Sequence, residues 1–107
     1  MLTLEDAPYP AKSHDDIAAL HKARLRIAVE RARLSPYFKG RLDHIDPERL
    51  DDPEEWAKIP ILTKDELRAM SAEEFYSQFC VFKQSDVCEY WRSGGSTGKP
   101  LFYPRTH

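Results

Sequence analysis

The residues with the clearest chemical potential form one glycine-rich segment near the end of the chain, Ser93-Gly94-Gly95-Ser96-Thr97-Gly98-Lys99-Pro100. Glycines let the backbone adopt positive φ and bring N–H groups close to an anion. The hydroxyls of Ser93, Ser96 and Thr97 add hydrogen-bond donors, and Lys99 adds a compact positive charge. No acidic residue follows Arg92. The segment therefore has the parts needed to hold phosphate groups.

The composition of this loop leaves two interpretations open. It is not a Walker A loop, because Lys99 is followed by Pro100 instead of Ser or Thr, and position 93 is not glycine. The alternative to phosphate binding is a polar turn between two strands, for which Gly and Ser are ordinary choices.

The segments on either side of the loop have the character of strands. Residues 87–92 are rich in strand formers, and Leu101-Phe102-Tyr103 is a short apolar run closed by Pro104. Residues 87–107 are therefore predicted as strand, phosphate loop and strand. Because a lone two-stranded hairpin is marginal in water, its open edges and apolar face predict self-association through this end of the chain.

The chain before the hairpin predicts helices after an extended lead-in over residues 1–12. Ser13 is a candidate N-cap for a long helix that runs to about Leu34. This helix is apolar over more than half its circumference, so we expect it to pack on two sides. Its polar residues gather in one stripe: Lys22, Arg26, Glu30 and Arg33. Pro36 ends this helix and is expected to start a short one.

Three capping signals follow in series: Asp52-Pro53-Glu54-Glu55, Thr63-Lys64-Asp65-Glu66 and Ser71-Ala72-Glu73-Glu74. Each predicts the start of a short helix, and together they account for the acidity of this stretch. Residues 13–86 are therefore a helical N-terminal region. With the hairpin, the predicted fold class is mainly α with a short C-terminal β-hairpin (α+β).

Composition excludes several classes of protein. A length of 107 residues is room for one domain, and a net charge of −2 argues against a strongly basic nucleic-acid binder. No apolar run approaches the roughly 20 residues of a membrane helix, and the start is too acidic for a signal peptide. Cys80 and Cys88 form neither a disulfide framework nor a zinc knuckle. We expect a reduced, cytoplasmic protein with no metal site and no nucleic-acid or membrane partner.

The loop resembles the Ser/Thr-Ser-Gly-Thr-Thr-Gly-Lys-Pro signature of the adenylate-forming superfamily, whose members activate a carboxylate with ATP and pass the acyl group to a thiol. Two upstream segments, residues 33–38 and 58–67, are similar to the N-terminal helical region of phenylacetate–CoA ligase-like proteins. The similarity runs in order over residues 17–105. This sequence departs from the signature at Gly94, where the family often has Ser or Thr, and at Ser96, where Thr is commoner.

The resemblance implies that the loop wraps the ATP phosphates. The residues that it implies for this role are Ser93, Gly94, Gly95, Ser96, Thr97, Gly98 and Lys99. It also implies ATP with Mg²⁺ for the full-length family, and CoA and an aryl carboxylate as further partners. The chain would then be the N-terminal fragment of a larger α/β adenylate-forming domain.

Members of that family are several-fold longer, and their later segments supply the adenine pocket, a glutamate for Mg²⁺ and the lysine that promotes adenylation. The chain ends at His107, soon after the loop. We therefore expect it to contain no catalytic residue, to require no cofactor and to have no ligase activity alone. The alternative function is a stand-alone helical interaction module whose Gly/Ser-rich hairpin is only structural.

Overall fold

The computed structural model of the protein describes residues 10–94 and 100–106. Its elements follow in the order α1 (His14–Ala32), α2 (Pro53–Trp56), α3 (Lys64–Arg68), α4 (Ala72–Phe79), β1 (Glu89–Arg92) and β2 (Phe102–Arg105), with short 3₁₀ turns at Pro47–Arg49 and Gln84–Asp86. The two strands pair antiparallel. The predicted fold class, mainly helical with a C-terminal hairpin, is confirmed. None of the described helices is long and apolar enough to cross a bilayer.

Four of the five predicted helix starts are confirmed by capping bonds. The Ser13 side chain accepts a hydrogen bond from the Asp16 N–H at 3.1 Å, and α1 ends at Ala32, two residues before the predicted end. At α3, the Thr63 side chain accepts from the Glu66 N–H at 3.3 Å while the Glu66 carboxylate accepts from the Thr63 N–H at 2.9 Å. The same reciprocal pair opens α4, and the Asp52 side chain caps α2. The acidic stretch is therefore largely capping chemistry.

The buried side of α1 differs from its predicted apolar arc. Arg26, which belongs to the predicted polar stripe, is only 5% exposed, whereas Ile17 on the arc is 55% exposed. The Arg26 guanidinium lies 3.3 Å from a carboxylate oxygen of Glu30 and 3.7 Å from one of Glu48. These carboxylates compensate the charge of an arginine whose side chain is only 6% exposed. The expectation that the apolar arc packs on two sides is therefore wrong at Ile17.

The chain divides into two compact units, and the first comprises the described residues up to Leu34 together with Phe38–Pro60. Its core consists of Val29, Leu42, Ile45 and Leu50, with partly buried Leu25, Ala32, Phe38 and Ile59 packed against them. Arg33 holds the chain after α1 against this core, because its Nη2 donates to the Leu42 carbonyl at 2.9 Å and also to the Ile45 carbonyl.

The short helix predicted at Pro36 does not form. Residues 33–44 run through turns instead, and Gly40 within them has φ +79°, in the left-handed region. Such a residue breaks the run of right-handed dihedrals that a helix requires. These turns nevertheless bring Leu42 into the core, where it is 2% exposed.

The second unit comprises Ser35–Tyr37 and the described residues from Ile61 onward. The Tyr37 N–H donates to the Gln78 carbonyl at 2.9 Å, and the Tyr37 ring stacks on Phe79 with 4.6 Å between centroids. Phe75 of α4 meets Tyr103 of β2 edge to face at 6.3 Å. Aromatic contacts therefore join α4 to the segment before Phe38 and to the hairpin.

The hairpin is shifted slightly from its predicted limits. β1 begins at Glu89, two residues after the predicted start, and β2 continues through Pro104, which lies opposite Tyr90. The Ser93 N–H donates to the Leu101 carbonyl at 2.8 Å. Because bonded and non-bonded pairs alternate in an antiparallel ladder, position 104 falls in a non-bonded pair. Pro104 is tolerated inside the strand, since no hydrogen bond of the ladder requires an N–H at that position.

Candidate functional site

The two strands fix the positions of the two ends of the glycine-rich loop. Arg92 and Phe102 are the last paired residues of the ladder, and the Ser93 N–H extends it by donating to the Leu101 carbonyl. The Leu101 N–H donates in turn to the Ser93 Oγ at 2.7 Å. Leu101 is 7% exposed, so its amide has a partner despite burial. The base of the loop is therefore closed by a backbone bond and a side-chain bond.

The structure describes two of the seven predicted phosphate-binding residues. Ser93 and Gly94 lie directly after β1, and the remaining five, Gly95, Ser96, Thr97, Gly98 and Lys99, lie outside the described residues. A Cβ added at Gly94 would meet nothing within 4 Å. The position would accept the Ser or Thr that the resembled signature often carries there.

The Ser93 hydroxyl has a positioning role that the sequence did not predict. Its oxygen accepts the Leu101 N–H, which leaves the hydroxyl proton able to donate to a second group. An anion at the loop is one such acceptor, so holding the loop and donating to a phosphate are compatible functions of one side chain. The fixed oxygen also limits the positions that the proton can take.

The loop end of the hairpin carries one positive charge, Arg92, whereas Arg105 and Glu89 pair at the opposite end of the ladder. Arg92 is exposed and immediately precedes Ser93, so it adds a guanidinium that the predicted site omitted. Arg105 lies 4.6 Å above the Trp91 ring and 3.8 Å from a carboxylate oxygen of Glu89. That acid is the last one in the chain, and it faces a base of its own. The signal for Arg92 was present in the sequence as a base adjacent to the first serine.

A cavity of about 370 Å³ lies in the second unit beside the base of the loop. Its walls come from α3, α4 and the hairpin, and they include Phe75, Tyr76, Tyr90, Pro100 and Phe102. The Tyr76 hydroxyl donates to the Phe82 carbonyl at 3.3 Å, and burial raises the pKa of Tyr76 above its ordinary value. The cavity is mostly apolar, so it suits an apolar group better than an anion. No local pattern of residues predicts this cavity.

No group of three or more His, Cys, Asp or Glu side chains suited to a metal ion occurs in residues 10–94 and 100–106. Both cysteines are free thiols. Comparison of the chain with protein-family models and with curated proteins finds no match. The glycine-rich loop and the hairpin that carries it are the features of this chain that indicate a function.

Proposed function

We propose that the chain is the N-terminal portion of an ATP-dependent carboxylate–CoA ligase of the phenylacetate or aryl type, and that Ser93–Lys99 bind the ATP phosphates. The observation that carries the proposal is the combination of three glycines, three hydroxyl residues and Lys99 in the Ser93–Pro100 segment, which follows β1 and precedes β2. CoA and an aryl carboxylate are the partners of the complete enzyme, and Mg²⁺ arrives with the nucleotide. ATP and CoA chemistry, together with free thiols, favours a cytoplasmic location.

The chemistry of the loop supports phosphate as its ligand. Phosphate oxygens accept hydrogen bonds from hydroxyls, backbone N–H groups and cations, and this loop offers all three types. Ser93 keeps a hydroxyl proton to donate, and Arg92 stands beside it. ATP would supply an activated adenylyl group, with pyrophosphate as the leaving group, whereas the residues of this chain bind and orient its phosphates.

One phosphate-binding loop is not sufficient for adenylation. The reaction requires a carboxylate held in line with the transferring phosphorus as well as stabilisation of the charge that develops there. The loop contributes to the second requirement alone. We therefore propose binding without turnover for the 107-residue chain.

The test is a titration of the chain with ATP and with inorganic pyrophosphate. Calorimetry and the chemical shifts of the loop amides measure the binding. Loss of a hydrogen bond to a charged group costs about 1.5–3 kcal/mol, so Lys99→Ala should weaken binding by about 10- to 150-fold. Lys83→Ala is the matched control, because Lys83 is an exposed lysine of the same unit with no capping bond from its side chain. It should leave the affinity unchanged.

Equal effects of Lys99→Ala and Lys83→Ala, or no binding at millimolar ligand, would refute a phosphate-binding loop in this chain. That outcome would support the helical interaction module with a structural hairpin. A separate assay for pyrophosphate release with ATP, Mg²⁺, CoA and a panel of aryl acids tests the absence of turnover. Clear turnover would show that the chain is competent alone.

A further inference from the structure

The two outer edges of the hairpin are chemically different. The pair Ser93–Leu101 is hydrogen-bonded, so Trp91–Tyr103 is bonded and Tyr90–Pro104 is not. The backbone polar groups of Tyr90 and Pro104 therefore point away from the partner strand. On β2 this places the position without an N–H on the outer edge, and proline there blocks pairing with another strand. β2 has a blunted edge.

The outer edge of β1 has a complete set of donors and acceptors. By the same alternation, the N–H and C=O groups of Tyr90 and Arg92 point outward from β1. No strand other than β2 pairs with β1 within the part of the chain that the structure describes. Tyr90 and Trp91 are also 57% and 55% exposed. β1 therefore presents both an open ladder and aromatic surface.

β1 is complementary to a second antiparallel copy of itself. In an antiparallel pair, outward-pointing residues must face outward-pointing residues, so Tyr90 of one copy can face Arg92 of the other. That register forms four backbone hydrogen bonds around a two-fold axis. It sets an aromatic ring beside a guanidinium twice, which is a favourable cation–π pairing. Trp91 then faces Trp91 at the axis, in a non-bonded pair with Cα atoms about 4.5 Å apart.

We propose that two copies of the chain associate through the outer edges of their β1 strands, antiparallel and with Trp91 at the two-fold axis, to form one four-stranded sheet. The order across this sheet is β2, β1, β1 and β2. Four strands avoid the marginal stability of an isolated hairpin. Both outer edges of the new sheet are β2 strands that carry Pro104, so assembly stops at a closed dimer.

Cysteine cross-linking tests this register directly. In a background with Cys80→Ala and Cys88→Ser, Trp91→Cys should form a disulfide-linked dimer under a glutathione redox buffer, because its Cα separation lies within the disulfide range of about 4.4–6.8 Å. Tyr90→Cys is the control. In the proposed register the two copies of position 90 are offset by two residues, about 6.7 Å along the strand, which prevents a bond. Cross-linking at position 90 but not at 91 would overturn the register.

Sedimentation velocity on the unsubstituted chain tests the association itself. The chain should sediment as a dimer at high micromolar concentration, and Arg92→Pro should make it monomeric by removing an outward N–H. Arg92→Ala keeps that N–H and should still dimerise, more weakly. A monomeric unsubstituted chain, with no Trp91→Cys cross-link, would refute the dimer. None of these readouts uses a nucleotide, so their failure is distinct from failure of the phosphate-binding proposal.

Discussion

Arg33 is expected to be a strong single contributor to the stability of the first unit. Its Nη2 donates to the carbonyl of Leu42 at 2.9 Å and to that of Ile45, and its Nε lies 3.3 Å from the same Leu42 carbonyl. Both acceptor residues belong to the buried core, at 2% and 3% exposure. One guanidinium therefore fixes the turn segment that brings the two residues inward.

The cost of removing this guanidinium follows from the two carbonyls that lose their donor. A hydrogen bond to a charged group contributes about 1.5–3 kcal/mol, and a partly buried carbonyl recovers some of that from water. Arg33→Met, which keeps the apolar stem, should therefore lower the free energy of unfolding by about 2–4 kcal/mol. The free energy of unfolding of Arg33→Lys should lie between those of the unsubstituted chain and Arg33→Met, because one ammonium lacks the planar fork that reaches both carbonyls.

The measurement is urea denaturation in a Trp91→Phe background, in which the fluorescence of Trp56 reports on the first unit. Arg31→Met is the matched control, since Arg31 is exposed and lies in the last turn of α1, two residues before Arg33. Both substitutions remove a positive charge near the C-terminus of α1, so both variants lose about the same interaction with the helix dipole. A difference between the two variants below about 0.5 kcal/mol would refute the bracing role of Arg33.

Two further predictions concern the side chains of Ser93 and Glu55. Ser93→Ala should leave the buried Leu101 N–H without its acceptor, at a cost of about 1–3 kcal/mol. Hydrogen exchange of that amide should then be about 5- to 150-fold faster. Unchanged exchange would contradict the closed base of the loop. The Glu55 carboxylate accepts the Asp46 N–H and a bond from Lys58, each at 2.7 Å, and the backbone bond is the main cause of its lowered pKa. Its contribution to stability is present above the ordinary pKa of 4.5 and is lost as pH falls through the lowered folded value. Urea midpoints of the chain and of Glu55→Gln should therefore converge in acid, and a constant difference would contradict the assignment.

Local signals in the sequence predicted the helix starts well. A capping box needs residues three positions apart, so Thr63 with Glu66 and Ser71 with Glu74 could be identified without knowledge of the fold. The strand–loop–strand order was also local, because Gly and Ser separate two runs of strand formers. The fold class follows from these short-range patterns.

Burial of charged residues could not be predicted in the same way. Helical periodicity places Arg26 in a polar stripe, but it does not show that Glu48, in the later 3₁₀ turn, supplies a carboxylate to it. The capping signal predicts Glu55 only as an acid of the first helical turn, yet this residue is 2% exposed and its carboxylate accepts the Asp46 N–H, nine residues earlier. Each of these side chains is buried because of a partner that only the tertiary fold brings near.

The candidate loop has features of both kinds, some that local sequence predicts and some that depend on the tertiary fold. Its residue types were evident from the sequence, but the bond from Leu101 to Ser93 depends on the strand register, which a one-residue slip would change. A closed base serves a structural turn as well as a phosphate site, so that bond favours neither function. Lys99 distinguishes the phosphate site from the structural turn, because a turn between strands needs glycine and serine but no cation. The affinity lost on removing that one ammonium is therefore the decisive quantity for the function of this chain.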